Sequence, residues 1–219
     1  MGRTLTRQTP NFSPPDVAEA QLLLGQLRLD RGDHPAALEW FRAAARGGSP
    51  AALNMIGRCY GMGWGVDADP SAAAEYYHAA STAGDTWALF NLADLFKRGF
   101  GVEKNETEAF RLYEKAASRG HIKSLNMLGL FYEDGRCVPR DLEQAAQYFR
   151  AGAEGGDCWA QFNYGRLLRS EGKNAAAKTW FCKALSTGFS DFHQAMGRLL
   201  SRQSDPELIM LGKQALARV

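Results

Sequence analysis

Apolar and polar positions recur along this chain with a helical period, and the pattern itself recurs every 36 residues. The segment from Ala51 to Thr86, AALNMIGRCYGMGWGVDADPSAAAEYYHAASTAGDT, aligns without gaps with Trp87 to Ile122, WALFNLADLFKRGFGVEKNETEAFRLYEKAASRGHI. It aligns equally with Lys123 to Cys158, KSLNMLGLFYEDGRCVPRDLEQAAQYFRAGAEGGDC. Shorter copies begin at Glu19 and at Trp159, each lacking four residues in the middle. With the small residue of each first helix as a ruler, Gly25, Gly57, Ala93, Gly129, Gly165 and Gly197 lie 32, 36, 36, 36 and 32 residues apart. The difference therefore sits in the loop within a repeat.

The second helix repeats as strictly. Ala37, Ala73, Ala109, Ala145 and Ala177 hold one position, and Phe41, Tyr77, Tyr113, Phe149 and Phe181 another. Small residues let helices approach, and the aromatics are expected to fill the space between neighbouring pairs. Starts are marked by Asp16-x-x-Glu19, Asp69-Pro70, Asn105-x-x-Glu108, Asp141-x-x-Gln144 and Asp205-Pro206, and stops by Gly48, Gly84, Gly120, Gly156 and Gly188. No stretch alternates as a strand would. The pattern predicts an all-α solenoid of about six helix pairs over 16–219. Its repeats lie near 19–50, 51–86, 87–122, 123–158 and 159–190, with a partial capping repeat over 191–219 whose last helix starts at Pro206. Residues 1–15 read as a disordered leader.

The glycine-rich run Gly61-Met62-Gly63-Trp64-Gly65-Val66 could suggest a phosphate cradle, but such a cradle needs a strand-to-helix junction. It aligns instead with Gly99-Phe100-Gly101-Val102 and Gly135-Arg136-Cys137-Val138, always between two helices. It is a turn in which glycine permits positive φ and Val66, Val102 and Val138 tuck into the core. Cys137 stands where Gly65 and Gly101 stand, which sets that loop apart.

These features resemble the Sel-one-like repeat, a longer relative of the tetratricopeptide repeat. The residues that carry the resemblance are Ala160-Gln161-Phe162-Asn163-Tyr164-Gly165, the loop from Tyr132 to Asp141, and Ala145-x-x-Tyr148-Phe149. The likeness runs from Glu19 to about Val219. It implies antiparallel helix pairs stacked into a right-handed α-solenoid, a tetratricopeptide-like superhelix, and a role as an adaptor.

Composition narrows the function classes. The 219 residues are 45% hydrophobic with a formal net charge of +2, too balanced for a nucleic-acid binder read from whole-molecule charge. Four cysteines, Cys59, Cys137, Cys158 and Cys182, and four histidines show no metal-ligand spacing, so no metal and no cofactor is expected. Cys182 aligns with Arg42, His78, Glu114 and Arg150 and should be exposed, whereas Cys59 aligns with Leu95 and Phe131 and should be buried. There is no apolar run for a signal or a membrane span, which points to the cytoplasm and to no membrane partner. MGRTLT fits a short acylation pattern that a leader of this composition also produces.

The resemblance implies that the first helices face a concave groove. The residues expected there are Asn54, Arg58, Trp87, Asn91, Asp94, Asn126, Trp159, Asn163, Arg166 and Arg198. Amides pair with backbone groups and aromatic faces take apolar side chains, which suits a protein or peptide partner. Trp87 and Trp159 read equally as wedges between repeats, and Arg166, Arg169 and Arg198 as either a carboxylate-binding cluster or a solvated basic face. Copies at Trp87 and Trp159 share W-A-x-F-N and those at Ala51 and Lys123 share L-N-M, so the surface alternates with a two-repeat period. No catalytic constellation survives the repeat alignment. The expectation is a non-enzymatic adaptor; the alternative is a regulatory or immunity-type subunit clamping one folded enzyme.

Overall fold

The computed structural model describes residues 14–219. The expected leader lies outside the described residues, except that Pro14 and Pro15 open the first helix. Two compact units are present, one ending at Lys104 and the other running from Asn105 to Val219. The first holds α1 (Pro14–Asp30), α2 (His34–Arg46), α3 (Pro50–Met62), α4 (Pro70–Thr82) and α5 (Thr86–Arg98). The second holds α6 (Glu106–Ser118), α7 (Ile122–Asp134), α8 (Leu142–Glu154), α9 (Cys158–Ser170), α10 (Asn174–Thr187), α11 (Ser190–Leu200) and α12 (Pro206–Leu216). Among the described residues every regular element is a helix, as the period predicts.

The helices begin where side chains satisfy the first-turn N–H groups. Asp69 accepts from the N–H of Ser71 and of Ala72, both at 3.0 Å, and Asp141 from Glu143 and Gln144 at 2.9 and 3.0 Å. Asn105 and Asp205 do the same at α6 and α12. A second series at the first helices escaped the sequence reading although it keeps the 36-residue period. Ser49, Asp85 and Asp157 accept from Ala52, Ala88 and Ala160 at 3.3, 2.6 and 2.7 Å. His121 holds the third place of that series, between Asp85 and Asp157, and its Nδ1 meets the Ser124 hydroxyl at 2.9 Å. Four of the expected stops, Gly48, Gly84, Gly120 and Gly156, are left-handed with φ between 85° and 104°; Gly188, at φ −68°, is not.

The repeated aromatics fill the space between neighbouring pairs, as expected from sequence, Phe41 clustering with Met55, Ile56 and Cys59 of α3 and Phe181 with Phe192 and Met196 of α11; they also cross the glycine of their own pair. A Cβ on Gly25, Gly57, Gly129 or Gly165 would lie 2.5, 2.7, 2.5 or 2.9 Å from the ring of Phe41, Tyr77, Phe149 or Phe181. All four rings are buried. Burying a ring of this size contributes about 1.5–3 kcal/mol, and only a missing side chain on the facing helix lets it sit there. The last pair departs from the rule. Gly197 meets Leu216 and the backbone of Gly212, and Lys213, at the aromatic's repeat position, is exposed.

Each full-length loop rests on the start of the second helix before it. A Cβ on Gly65 would lie 2.6 Å from the carbonyl oxygen of His34, and one on Gly101 2.2 Å from the carbonyl carbon of Pro70. At the third loop the Cys137 Sγ lies 3.7 Å from the carbonyl of Glu106, at the same helix position. Cys137 takes φ 54°, close to the 74° of Gly65 and Gly101, so the loop keeps its left-handed turn despite the side chain. Val66 packs on the cluster of Ala37, Leu38 and Phe41.

Candidate functional site

The first helices of each unit carry the expected residues, and in both units the asparagines find each other. In the first unit, Asn91 Nδ2 on α5 donates to Asn54 Oδ1 on α3 at 2.8 Å. In the second, Asn163 Nδ2 on α9 donates to Asn126 Oδ1 on α7, again at 2.8 Å. Partners are 37 residues apart in both cases, one more than the repeat, because L-N-M places its amide one position earlier than W-A-x-F-N. This is the physical content of the two-repeat alternation. Asn54, Asn126 and Asn163 are buried and Asn91 is half-buried. The amides are thus not free ligand groups, as the sequence reading had them, but inter-repeat ties with one donor or acceptor committed. None of their remaining polar atoms is both buried and unpartnered.

Around the first tie stand Trp87, Arg58 and Asp94. Trp87 is 51% exposed, four residues before Asn91 and so on the same face of α5. Arg58 lies over the indole of Trp64 at 5.3 Å. Asp94 is held by Lys97 at 2.9 Å and Arg98 at 3.3 Å.

Around the second tie, Arg166 reaches Glu133 on α7 at 2.6 Å, a partner absent from the sequence expectations. Arg198 is exposed, and Arg169 faces Asp205 at 3.9 Å. Arg166 and Arg169 thus turn to carboxylates on different elements rather than forming one cluster. Trp159 is a wedge, meeting Phe192 edge-on at 4.9 Å.

Burial tunes the titratable groups away from reactivity. It pushes the Cys59 and Cys158 thiols up to about 11, so neither is a thiolate near neutral pH. Burial, with Lys123 beside it, brings His121 down to about 4 and keeps it neutral. Cys182 is exposed and Cys59 is buried, as the repeat alignment predicts, and Cys137 is exposed as well. Among the described residues no cluster could hold a metal ion, and no helix is long and apolar enough to cross a membrane.

The Sel1 repeat model matches four consecutive segments, 18–49, 50–85, 88–121 and 122–157. The chain belongs to the Sel1 repeat family. A Sel1 repeat protein of Oxalobacter formigenes is 25% identical, with a TM-score of 0.75 covering 93% of this chain and 87% of that one. A protective antigen of uropathogenic Escherichia coli displaying the same fold is 28% identical, with a TM-score of 0.68. It matches over 91% of this chain and 46% of its own, so the present chain spans about half its length. An immunity protein of Pseudomonas aeruginosa, 19% identical with a TM-score of 0.65 over 95% and 82% of the two chains, shares the fold. The sequence matches no curated protein. Sel1 repeats commonly serve protein–protein interaction.

Proposed function

We propose that this Sel1 repeat protein is a non-enzymatic adaptor that captures a partner protein through the first-helix faces of its units. The observation that carries the reading is Trp87, a large ring 51% exposed one turn from the Asn91–Asn54 tie. Exposed aromatics beside fixed polar groups are the usual anchors of protein interfaces. Arg198 gives the second unit an exposed cation that suits a carboxylate, beside the exposed Arg166–Glu133 pair. The reactive-group chemistry supports a binder over a catalyst, because the perturbed thiols and His121 are shifted toward inert forms.

The test is quantitative affinity capture from the native host with the wild-type chain, Trp87→Ala, Arg166→Ala/Arg198→Ala and an outer-face control, Glu114→Lys/Arg150→Glu. The expected result is at least a tenfold loss of the captured partner with Trp87→Ala, equivalent to about 1.4 kcal/mol, and none with the control. The reverse pattern would place the working surface on the second helices. Capture of short fragments of the partner identifies a peptide adaptor. Capture of the folded partner alone identifies the second reading, a dedicated regulatory subunit.

A further inference from the structure

Helix α1 opens the first unit with an apolar face that the next first helix keeps buried. In the contact between α2 and α3, Met55, Ile56 and Cys59 of α3 cluster with Ala37, Leu38 and Phe41 of α2. The residues 32 positions earlier, on α1, are Leu23, Leu24 and Leu27, and these are 64%, 40% and 44% exposed. Val17 and Ala20 continue the stripe at helical spacing and are exposed too. Leu22 and Leu29 pack on the α2 cluster instead, so α1 is apolar on two sides. It also outgrows its repeat. It runs for 17 residues against 13 in α3, α5, α7 and α9, and Val17 stands where Ser49, Asp85 and Asp157 cap α3, α5 and α9. Solenoid ends are usually finished with polar side chains, and an apolar patch of this kind marks an interaction surface.

We propose that this face is the interface between two copies of the chain, paired antiparallel through α1 about a twofold axis. It uses the positions that meet a preceding helix pair and not that of Trp87, which Glu19 holds on α1, so it does not depend on the reading above. Three observations select the occupant. The face continues the kind of contact that α2 and α3 make, so its cover is a helix presenting apolar side chains. The last helix of another copy does not present them, because Lys213 stands exposed at the repeat position of Phe41 and Phe181, and head-to-tail stacking would set its ammonium among the leucines. Residues 1–13 do not supply the sequence of a preceding second helix either: Thr9 and Phe12 hold the repeat positions of Phe41 and Ala44, with Pro10 between them. A second α1 meets the requirement over its whole length. Antiparallel pairing sets Leu23 and Leu24 beside their own counterparts at the axis and Ala20 opposite Leu27, small against large. The contact closes at two copies and leaves the lysine-bearing ends outward. One helix from each copy gives an interface near the lower bound of about 1,000 Å² for specific association, which suits a dissociation constant of about 1–100 µM.

The test is sedimentation equilibrium of the full chain from about 1 to 500 µM, where a monomer–dimer equilibrium that stops at the dimer is expected. Leu24→Glu and Leu24→Lys each place like charges together at the axis, so each variant alone should associate at least tenfold more weakly, with unchanged helical circular dichroism. Because Leu24 meets its own counterpart, an equimolar mixture of the two should dimerise again, which also shows that neither variant is misfolded. A wild-type chain that stays monomeric throughout the range overturns the proposal and leaves the face to residues 1–13 or to a foreign helix. Dimers indifferent to Leu24→Glu, a mixture that associates no better than its components, or growth past the dimer overturn it as well, the last in favour of head-to-tail stacking.

Discussion

At the start of α4 the following loop lies across Pro70 so closely that only glycine fits at position 101, whereas at the start of α10 the same space is open. Below this difference the two places are built alike. Gly57 crosses Tyr77 and Gly165 crosses Phe181, and both rings are buried. The helix crossing and the loop are therefore separable parts of the repeat. The crossing holds a pair together and is found in repeats of both 32 and 36 residues; the loop covers the preceding pair and can be omitted. Where the loop is omitted, α10 opens on Lys173, which makes no side-chain cap bond, beside a cavity of about 320 Å³.

The largest expected effect tests what the two kinds of repeat share. Gly129→Leu in a full repeat and Gly165→Leu in a short one each drive a side chain into Phe149 or Phe181. Both should lose about 1–3 kcal/mol or more, read as denaturant midpoints, because neither ring has room to retreat. A much smaller loss at Gly165 would show that the short repeat is loosely packed, and the comparison would then rest on packing rather than on the loop.

How much of this was legible from the chain follows from which interactions are periodic. The crossing glycines, the second-helix caps and the turn all recur at a fixed spacing, so alignment of the chain with itself exposes them. The caps Ser49, Asp85 and Asp157 recur too, but their series changes residue type and is interrupted by His121, which makes no cap bond, so self-alignment marks them weakly. The asparagine ties were misread for a different reason. A buried amide and a ligand-facing amide look the same in sequence, and only the 37-residue spacing of Asn54 to Asn91 and Asn126 to Asn163 distinguishes a partner in the next repeat. Trp87 and Trp159 share a motif but differ in burial, since Trp87 is 51% exposed and Trp159 is half-buried against Phe192. A residue's role there depends on its neighbour and not on its own position. The corollary is that Asn91→Ala and Asn163→Ala are not neutral surface changes. Each would strand a buried amide, so they are poor tests of binding.

The next effect isolates the loop contact itself. Gly101 and Gly172 both take positive φ, at 74° and 77°, but a Cβ on Gly101 meets Pro70 while one on Gly172 meets nothing within 4 Å. Gly172→Ala should cost only the left-handed strain, about 1–2 kcal/mol. Gly101→Ala should cost that and the collision as well, so its melting temperature should fall further. Equal losses would mean that the loop lifts off Pro70 without penalty, and the covered and open helix starts would then be energetically alike.

A change of opposite sign sharpens the unfinished end. Lys173→Asp gives α10 the side-chain acceptor that Asp69 and Asp141 supply elsewhere. It removes only an exposed pair with Glu171, an interaction of little worth. A gain of about 1 kcal/mol is expected in thermal unfolding at neutral pH. If α10 gains nothing, its first turn is already satisfied by groups other than a cap, and its difference from the loop-covered helices is smaller than its sequence suggests.

The smallest effect concerns the loop that departs from its own series. Cys137 holds φ 54° where the two equivalent loops use glycine, so the side chain bears a strain that the backbone of this turn imposes on any other residue. Cys137→Gly should relieve about 1–2 kcal/mol of that strain and lose part of it again to the greater freedom of glycine in the unfolded chain. The net expectation is a gain of about 0.5 kcal/mol, provided the contact of the Cys137 Sγ with the Glu106 carbonyl contributes little at 3.7 Å. A loss instead would show that the thiol secures the loop to α6. Cys137 would then do by side-chain contact what Gly101 does by close backbone approach, and the three full repeats would cover their neighbours by two different physical means.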